Sequence, residues 1–155
     1  MTMIARLAPF LIVLSVFTVD RLTKFLVKAE MSYGQSKQIL PFFSLTYVEN
    51  TGAAFGLGQN QNTFFILSSL LILVILFAIA RKVPKEDIKM RFALALVIGG
   101  ALGNLYDRLH HGSVTDFLDF YVGAHHWYAF NVADSCVCIG ALLLAVFQWK
   151  GASSS

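Results

Sequence analysis

The stretch FNVADSCVCIGALLLAVFQWK, Phe130 to Lys150, is almost continuously apolar, yet it carries a carboxylate at Asp134. A run of this length can cross the hydrocarbon core of a bilayer, which is about 30 Å thick. A charge within a membrane helix costs about 2.5 to 3.5 kcal/mol on insertion scales, so such a charge is retained where it pairs or reacts. The stretch therefore predicts a membrane helix with a functional acid near its start.

The composition of the whole chain agrees with a membrane protein. Hydrophobic residues make up 57% of the 155 residues, charged residues make up 14%, and the mean hydropathy is +0.67. One small globular core cannot hide that much apolar surface. The predicted fold class is membrane all-α, with four transmembrane helices in a single domain covering residues 1–155. The predicted helices cover about residues 4–27, 63–80, 92–109 and 130–149.

The first apolar window is predicted to be a retained helix. A basic residue followed by an apolar run can also be a cleavable signal peptide, but no small-x-small cleavage site follows this one. The window ends in VDRLTKFLVK, whose Arg21, Lys24 and Lys28 suit a helix end among the lipid headgroups.

The basic residues predict the orientation of the chain in the membrane. The short link Arg81–Arg91 holds five of the twelve Lys and Arg residues, and Arg6 and Lys150 fall on the same side if all four helices span. Short loops rich in Lys and Arg stay in the cytoplasm, so both termini are expected there. The net charge of +3 follows from this asymmetry and does not call for a nucleic-acid partner.

The unusual polar residues fall at the predicted outer ends of the helices, which indicates a site just below the outer membrane surface. In the third helix, polar residues at i, i+3, i+4 and i+7 share one face that is expected to point inward. Asp107 beside Arg108 suggests a structural ion pair. These outer-end residues are Asp20, Asn104, Asp107, Arg108, His111 and Asp134.

A second carboxylate follows the third helix. Asp116 comes after Gly112 and Ser113, which break the helix, and Asp119 fits the same argument, so spacing alone does not separate them. Two carboxylates in one low-dielectric site cannot both ionise, so one keeps a proton while the other deprotonates a water. The pattern predicts an aspartyl peptidase. The alternative is a small proton-coupled transporter or transporter subunit, in which the same acids would relay protons.

Other chemistries are weakly supported, and we expect no metal and no cofactor. Cys136 and Cys138 are two positions apart on a helix and point in different directions, which disfavours a shared metal and excludes a bridge between them. The His pairs at 110–111 and 125–126 lack the spacing of a zinc site and suit an interfacial role.

Five blocks of sequence span most of the chain. They are D-R-L-T-K at Asp20–Lys24, E-N-T-G-A-A-F-G at Glu49–Gly56, G-G-x-x-G-N-L-Y-D-R at Gly99–Arg108, V-T-D-F at Val114–Phe117 and F-N-V-A-D at Phe130–Asp134. In this order they resemble the motifs of a known family, the lipoprotein signal peptidases, also called signal peptidase II, and none departs from the family pattern.

The resemblance implies an aspartic endopeptidase of the bacterial inner membrane. Such an enzyme removes the signal peptide from diacylglyceryl-modified prolipoproteins, cleaving before the lipidated cysteine, and is inhibited by globomycin. Its partners would be these substrates and membrane lipid, with no oligomer required.

The resemblance also implies the site. Carried over by motif, the catalytic dyad would be Asp116 and Asp134, which would favour Asp116 over Asp119. A small extracytoplasmic sheet would lie at about residues 31–58, and a periplasmic-side loop would cover the active site. The residues implied to hold the substrate or support the dyad are Asp20, Asn50, Gly52, Asn104, Arg108 and Asn131.

Overall fold

Four helices form most of the protein. A computed structural model describes residues 3–52 and 61–152, and each helix overlaps one of the four predicted windows. Residues 53–58 of the predicted sheet segment, which include the end of the second motif, and the side chains of Arg6 and Lys150 lie outside the described part. The helices are α1 (Met3–Glu30), α2 (Asn62–Lys82), α3 (Ile88–His111) and α4 (Val132–Ala152).

Helix α3 has recognisable signals at both ends. The side chain of Asp87 accepts a hydrogen bond of 3.0 Å from the Met90 N–H, which satisfies one free donor of the first turn. Gly112 ends the helix at φ +74°, a left-handed conformation that glycine adopts without a Cβ penalty. The chain then turns directly into the segment that carries Asp116.

In the described residues, a four-stranded antiparallel sheet packs at one end of the helices, and its strands lie side by side in the order in which they follow along the chain. The prediction placed the sheet within residues 31–58, and the structure corrects this, because half of the strands come from the segment predicted as a loop. That segment lacks the alternation of apolar and polar residues that is typical of a half-exposed strand, because nearly every side chain at its start is buried. The strands are β1 (Ser36–Leu40), β2 (Phe43–Asn50), β3 (Val114–Val122) and β4 (His125–His126).

The pairing of β2 with β3 brings two motifs together. Val48 lies opposite Asp116, and Asn50 lies opposite Val114. A one-residue irregularity in β2, between Leu45 and Val48, shifts the register just before these pairs. The end of β2 is therefore held beside Asp116, although more than sixty residues separate them in sequence.

Helix α3 packs between α1 and α4 through glycines. A Cβ added at Gly103 would come within 2.6 Å of Asp20 Oδ2, and one at Gly100 would overlap the Ala133 carbonyl oxygen. Only glycine permits this approach, so the small residues of the third motif bring α1 and α4 close to the polar end of α3.

The outer surface of the helices is apolar. Large side chains such as Phe10, Phe25, Leu67 and Leu142 are mostly exposed, which is the reverse of a water-soluble protein and suits contact with lipid. Among the described residues, α2 and α3 are long and apolar enough to cross a membrane, and α4 contains a shorter apolar run, Val132–Gln148.

Candidate active site

A cavity of about 480 Å³ lies where the end of α3, the sheet and the start of α4 meet. It contains both predicted acids, and its remaining walls are largely apolar, as is usual for a site that binds a ligand with an apolar part. The polar lining residues are Asn50, Asn104, Arg108, Asp116, Asp134 and Ser135, and the larger apolar ones include Val114, Trp127, Tyr128, Phe130 and Val137.

Asp116 enters the cavity from β3 and is only 3% exposed. Its carboxylate accepts hydrogen bonds from Asn50 Nδ2 at 3.1 Å and from Asn131 Nδ2 at 2.7 Å. Burial and the negative charge of Asp134 raise the pKa of Asp116 to about 7, although these two hydrogen bonds favour the ionised form. Asp116 can therefore keep a proton near neutral pH.

Asp134 enters the cavity from the first turn of α4. Its carboxylate accepts hydrogen bonds from Asn104 Nδ2 at 2.7 Å and from the Asn131 N–H at 3.2 Å. The positive end of the helix dipole and these donors both favour a negative charge at this place. The two acids thus have different surroundings, although they share one cavity.

The residue just before α4 binds both acids. Asn131 is fully buried; its side chain donates to Asp116, and its main-chain N–H donates to Asp134. The N–H of Asp134 donates in return to Asn131 Oδ1 at 2.9 Å. One asparagine therefore sets the position of each acid relative to the other.

Main-chain hydrogen bonds clip β3 to the start of α4. The N–H groups of Phe117 and Leu118 donate to the Phe130 carbonyl oxygen at 2.9 and 2.8 Å, and the Phe130 N–H donates to the Leu118 carbonyl oxygen at 3.1 Å. This clip lies one residue from Asp116 on one side and one residue from Asn131 on the other, so it holds the strand of the first acid against the helix of the second.

Arg108 lies in the cavity wall and is 8% exposed. Its Nη2 donates to the Gly52 carbonyl oxygen, and its guanidinium lies 4.7 Å from the centre of the Phe65 ring. Its Nη1 has no hydrogen-bond partner among the described residues. The Gly52 N–H in turn donates to Asn50 Oδ1 at 2.9 Å, so Gly52 joins two other predicted site residues.

Asp20 and Lys24 lie behind the cavity. Asp20 Oδ1 accepts from the Ala133 N–H at 3.0 Å, which holds the first turn of α4. The prediction that Lys24 reaches the headgroups is wrong: its side chain is fully buried and contacts Asp20, Asp107 and Asn104. The spacing D-x-x-x-K, with Asp20 and Lys24 on one helix face, was the signal that could have revealed this.

Two further expectations are corrected. Asp107 does not pair with its neighbour Arg108; because they point in different directions on the helix, Asp107 pairs with Lys24 at 2.8 Å and with Arg21. His111 does not point inward with the polar face of α3. It is exposed in the last helical turn, just before the chain leaves the helix at Gly112.

Asp119 is buried but turned to a different set of partners. It accepts from Thr46 Oγ1 at 2.8 Å and lies 2.9 Å from His126 Nδ1, and it does not line the cavity. The structure therefore separates Asp119 from Asp116, which the spacing of the sequence could not do.

Glu49 contacts three segments of the chain, and this role was not predicted from the sequence. It pairs with Lys28 at 3.0 Å and accepts from Tyr47 at 2.8 Å and from Ser113. Burial raises the pKa of Glu49, but these hydrogen bonds and the Lys28 charge outweigh it, and the net shift is downward. Glu49 thereby ties α1 and the end of α3 to the strand that carries Asn50.

The cysteines and histidines offer no metal site in the described ranges, where no group of three or more His, Cys, Asp or Glu side chains is arranged to hold a metal ion. Cys136 and Cys138 are free thiols, and Cys138 forms part of the cavity wall one turn after Asp134.

Comparison with known proteins identifies relatives along nearly the whole chain. A family described as signal peptidase (SPase) II matches residues 12–150. A lipoprotein signal peptidase of Alteromonas mediterranea is 46% identical over 86% of this chain and 76% of its own length. One from Vibrio cholerae is 41% identical over 92% and 86%, and one from Syntrophotalea carbinolica is 41% identical over 94% and 95%.

Solved structures show the same fold. One, described as a bacterial membrane enzyme, superposes with a TM-score of 0.90 at 33% identity, covering 96% of this chain and 91% of its own. A second of the same description has a TM-score of 0.84 and 33% identity over 92% and 93%.

Proposed function

The chain belongs to the signal peptidase II family and is a peptidase that removes signal peptides from prolipoproteins, and from this premise we propose that Asp116 and Asp134 are its catalytic dyad. One observation carries the proposal: the two carboxylates share a largely apolar cavity, and Asn131 donates a hydrogen bond to each of them. The alternative of a proton-coupled transporter is not favoured.

The different surroundings of the two acids support different roles. Asp134 receives donors from Asn104 and the start of α4, which suit an ionised base. Asp116 has a pKa of about 7 and suits the acid that starts the reaction with a proton.

The reaction proceeds by addition of water to the scissile amide. Asp134 takes a proton from a water as the water oxygen bonds to the carbonyl carbon, and Asp116 gives its proton to the carbonyl oxygen. When the intermediate collapses, Asp116 recovers a proton from a hydroxyl group, the C–N bond breaks, and the proton on Asp134 passes to the leaving nitrogen. The products are a signal peptide with a new carboxyl group and a protein with a new amino terminus.

Arg108 and Asn50 would hold the substrate main chain beside the dyad. Arg108 Nη1 is a buried donor without a partner in the described part of the chain, so a substrate carbonyl oxygen would satisfy it. Asn50 faces the same cavity and is already oriented by the Gly52 N–H. Such donors stabilise the developing oxyanion when they are fixed before the reaction.

The apolar side of the cavity suits a substrate carrying acyl chains. Trp127, Phe130 and Val137 line it beside the acids. A lipid-anchored cysteine would keep its chains in the hydrocarbon layer and its peptide bond near headgroup depth. We therefore infer that the bond before a diacylglyceryl-modified cysteine is the one cleaved, and that globomycin blocks the same cavity.

The exposed apolar surface supports four membrane-spanning helices in the bacterial inner membrane. The basic link Arg81–Arg91 and both termini would face the cytoplasm, and the sheet and dyad would lie at the outer face.

The test is cleavage by the purified protein. We expect a diacylglyceryl-modified prolipoprotein to shift to its mature size on a gel, and globomycin to prevent the shift. The matched control is the same precursor without lipid, which should remain uncut. Failure to process the lipidated precursor would overturn the proposal, and equal cleavage of both would overturn the role of the acyl chains.

A further inference from the structure

A buried lysine lies next to the proposed dyad but takes no part in the reaction described above. Lys24 is fully buried in α1, and its ammonium has three acceptors within 3.0 Å: Asp20 at 2.8 Å, Asp107 at 2.8 Å and Asn104 Oδ1 at 3.0 Å. The contacts with Asp20 and Asp107 are ion pairs, and the hydrogen bond of the ammonium goes to Asn104 Oδ1. The buried charge is thus compensated, as its desolvation requires.

The hydrogen bond from Lys24 to Asn104 fixes the orientation of the Asn104 side-chain amide. An ammonium can only donate, so the atom of Asn104 that faces Lys24 has to be its oxygen. The Asn104 Nδ2 then points the other way, where it donates to Asp134 Oδ1 at 2.7 Å. A second donor, Asn131 Nδ2, approaches the same Asn104 oxygen at a longer 3.3 Å and supports the same orientation.

With the amide reversed, its oxygen would face the Asp134 carboxylate. Two acceptors repel one another, so an ionised Asp134 would turn away or take up a proton. Either change removes the base from its place beside the water.

We propose that Lys24 is a positioning residue, which holds Asn104 with its Nδ2 toward Asp134 and thereby keeps the Asp134 carboxylate aimed at the attacking water. The inference rests on the proposed role of Asp134 as base. Lys24 makes no hydrogen bond or ion pair with either acid in the described contacts, and its hydrogen bonding reaches Asp134 through Asn104. Its positive charge also acts on the dyad directly and lowers the pKa of Asp116, so the test has to separate the hydrogen bond from the charge.

The hydrogen bond can be separated from the charge with a matched pair of variants. Lys24→Gln and Lys24→Met are both neutral and similar in length, but only glutamine can donate to Asn104. Each is made alone and together with Asp20→Asn. Asp20→Asn removes one buried negative charge, which offsets the loss of the lysine charge. It leaves the Arg21–Asp107 ion pair intact and keeps a side-chain oxygen that can accept from the Ala133 N–H.

We expect Lys24→Met to lose about 100-fold in kcat with KM changed by less than about threefold, because a displaced base slows the chemical step more than binding. Lys24→Gln is expected to recover at least about tenfold of that loss. If the role of Lys24 were purely structural, the loss of kcat in each variant would follow its loss of thermal stability. Equal kcat for the glutamine and methionine variants in both backgrounds would overturn the proposal.

Coupling to Asn104 gives an independent check. In an Asn104→Ala background, Lys24→Gln and Lys24→Met should differ by less than about threefold in kcat, because the residue to which glutamine would donate is gone. A difference between the two variants as large as in the Asn104 protein would contradict the proposal.

A measurement on the unmodified protein decides the matter if the variants do not insert or if no lipidated substrate is cleaved. With ¹⁵N-labelled lysine, Lys24 should give a slowly exchanging ammonium signal with a cross-peak to the Asn104 side chain. A Lys24 ammonium that exchanges freely with water would overturn the inference, whereas loss of cleavage in the wild type with this signal present would overturn only the proposed function.

Discussion

Asn131 and Asp134 cap one another at the start of α4: the Asp134 N–H donates to Asn131 Oδ1 at 2.9 Å, and the Asn131 N–H donates to Asp134 Oδ2 at 3.2 Å. This reciprocal pair is a capping box, in which a side chain before the helix and an acid three residues later satisfy two free N–H groups. The acid proposed as the base is thus also part of the helix end, and its position depends on the helix that it caps.

The first prediction separates the two roles of Asn131. Asn131→Ser keeps a capping oxygen but cannot reach Asp116, so it should lose less thermal stability than Asn131→Ala and still lose at least about tenfold in kcat. Asn131→Ala should lose the cap as well, at a cost of about 1 kcal/mol in unfolding free energy. Thermal melts and cleavage rates on the same preparations check this; a serine variant as active as the wild type would contradict it.

The second prediction concerns the dyad. Asp116→Asn and Asp134→Asn should each abolish most cleavage, and the double variant should be little worse than either single one, because members of a catalytic unit are strongly non-additive. Asp119→Asn is the matched control: it should retain activity, since Asp119 faces Thr46 and His126 outside the cavity. A folded, inserted single dyad variant that cleaves near the wild-type rate would refute the assignment.

The third prediction is a loss of kcat/KM as the pH rises through about 7, where Asp116 gives up the proton that the reaction needs. The same shift predicts a stability effect of defined sign. The pKa of Asp116 rises from 3.8 unfolded to about 7 folded, so the folded state binds more protons in this range and stability should fall as the pH increases across it. Asp116→Asn should weaken that fall in thermal melts; an identical pH dependence would count against it.

The fourth prediction is that cleavage survives EDTA. Because two carboxylates and a water suffice for the proposed reaction, removal of metal should leave the rate unchanged within error. The control is a zinc-dependent peptidase treated in parallel. Activity that disappears with chelator and returns with zinc would refute the two-acid mechanism.

The fifth prediction concerns orientation. With Cys136 and Cys138 replaced by alanine, a cysteine at Lys85 should resist an impermeant thiol reagent in intact cells, since the basic link is expected in the cytoplasm. A cysteine at the exposed position Lys37, on β1, should label under the same conditions. Reversed labelling would show the opposite orientation.

The helices were predictable because their apolar runs are long, whereas the sheet was only partly predictable. Strand β3 is buried on both faces at its start, so it gives neither the alternation of a surface strand nor a run long enough for a helix. Its partner β2 lies far away in sequence, and no local signal indicates a pairing over that distance.

The candidate site was likewise only partly predictable from the sequence. Motif resemblance selected Asn50, Asn104, Arg108 and the two acids, which line the cavity, together with Asp20 and Asn131, which contact the start of α4 and the acids. The burial of Lys24 was not predicted, because a lysine near a helix end has the same sequence pattern whether it reaches headgroups or lies buried between carboxylates. The role of Glu49 was also not predicted, because its partners come from three segments that are separate in sequence.

The clip between β3 and the start of α4 bears on how such an enzyme can diversify. Its three hydrogen bonds join main-chain atoms of Phe117, Leu118 and Phe130 only, so the spacing of the two acids does not depend on which side chains occupy those positions. A substitution at Phe130, the one of these three that lines the cavity, can reshape the apolar wall while the acids keep their places. Substrate preference and resistance to inhibitors can therefore evolve through the wall residues without a loss of peptide-bond hydrolysis.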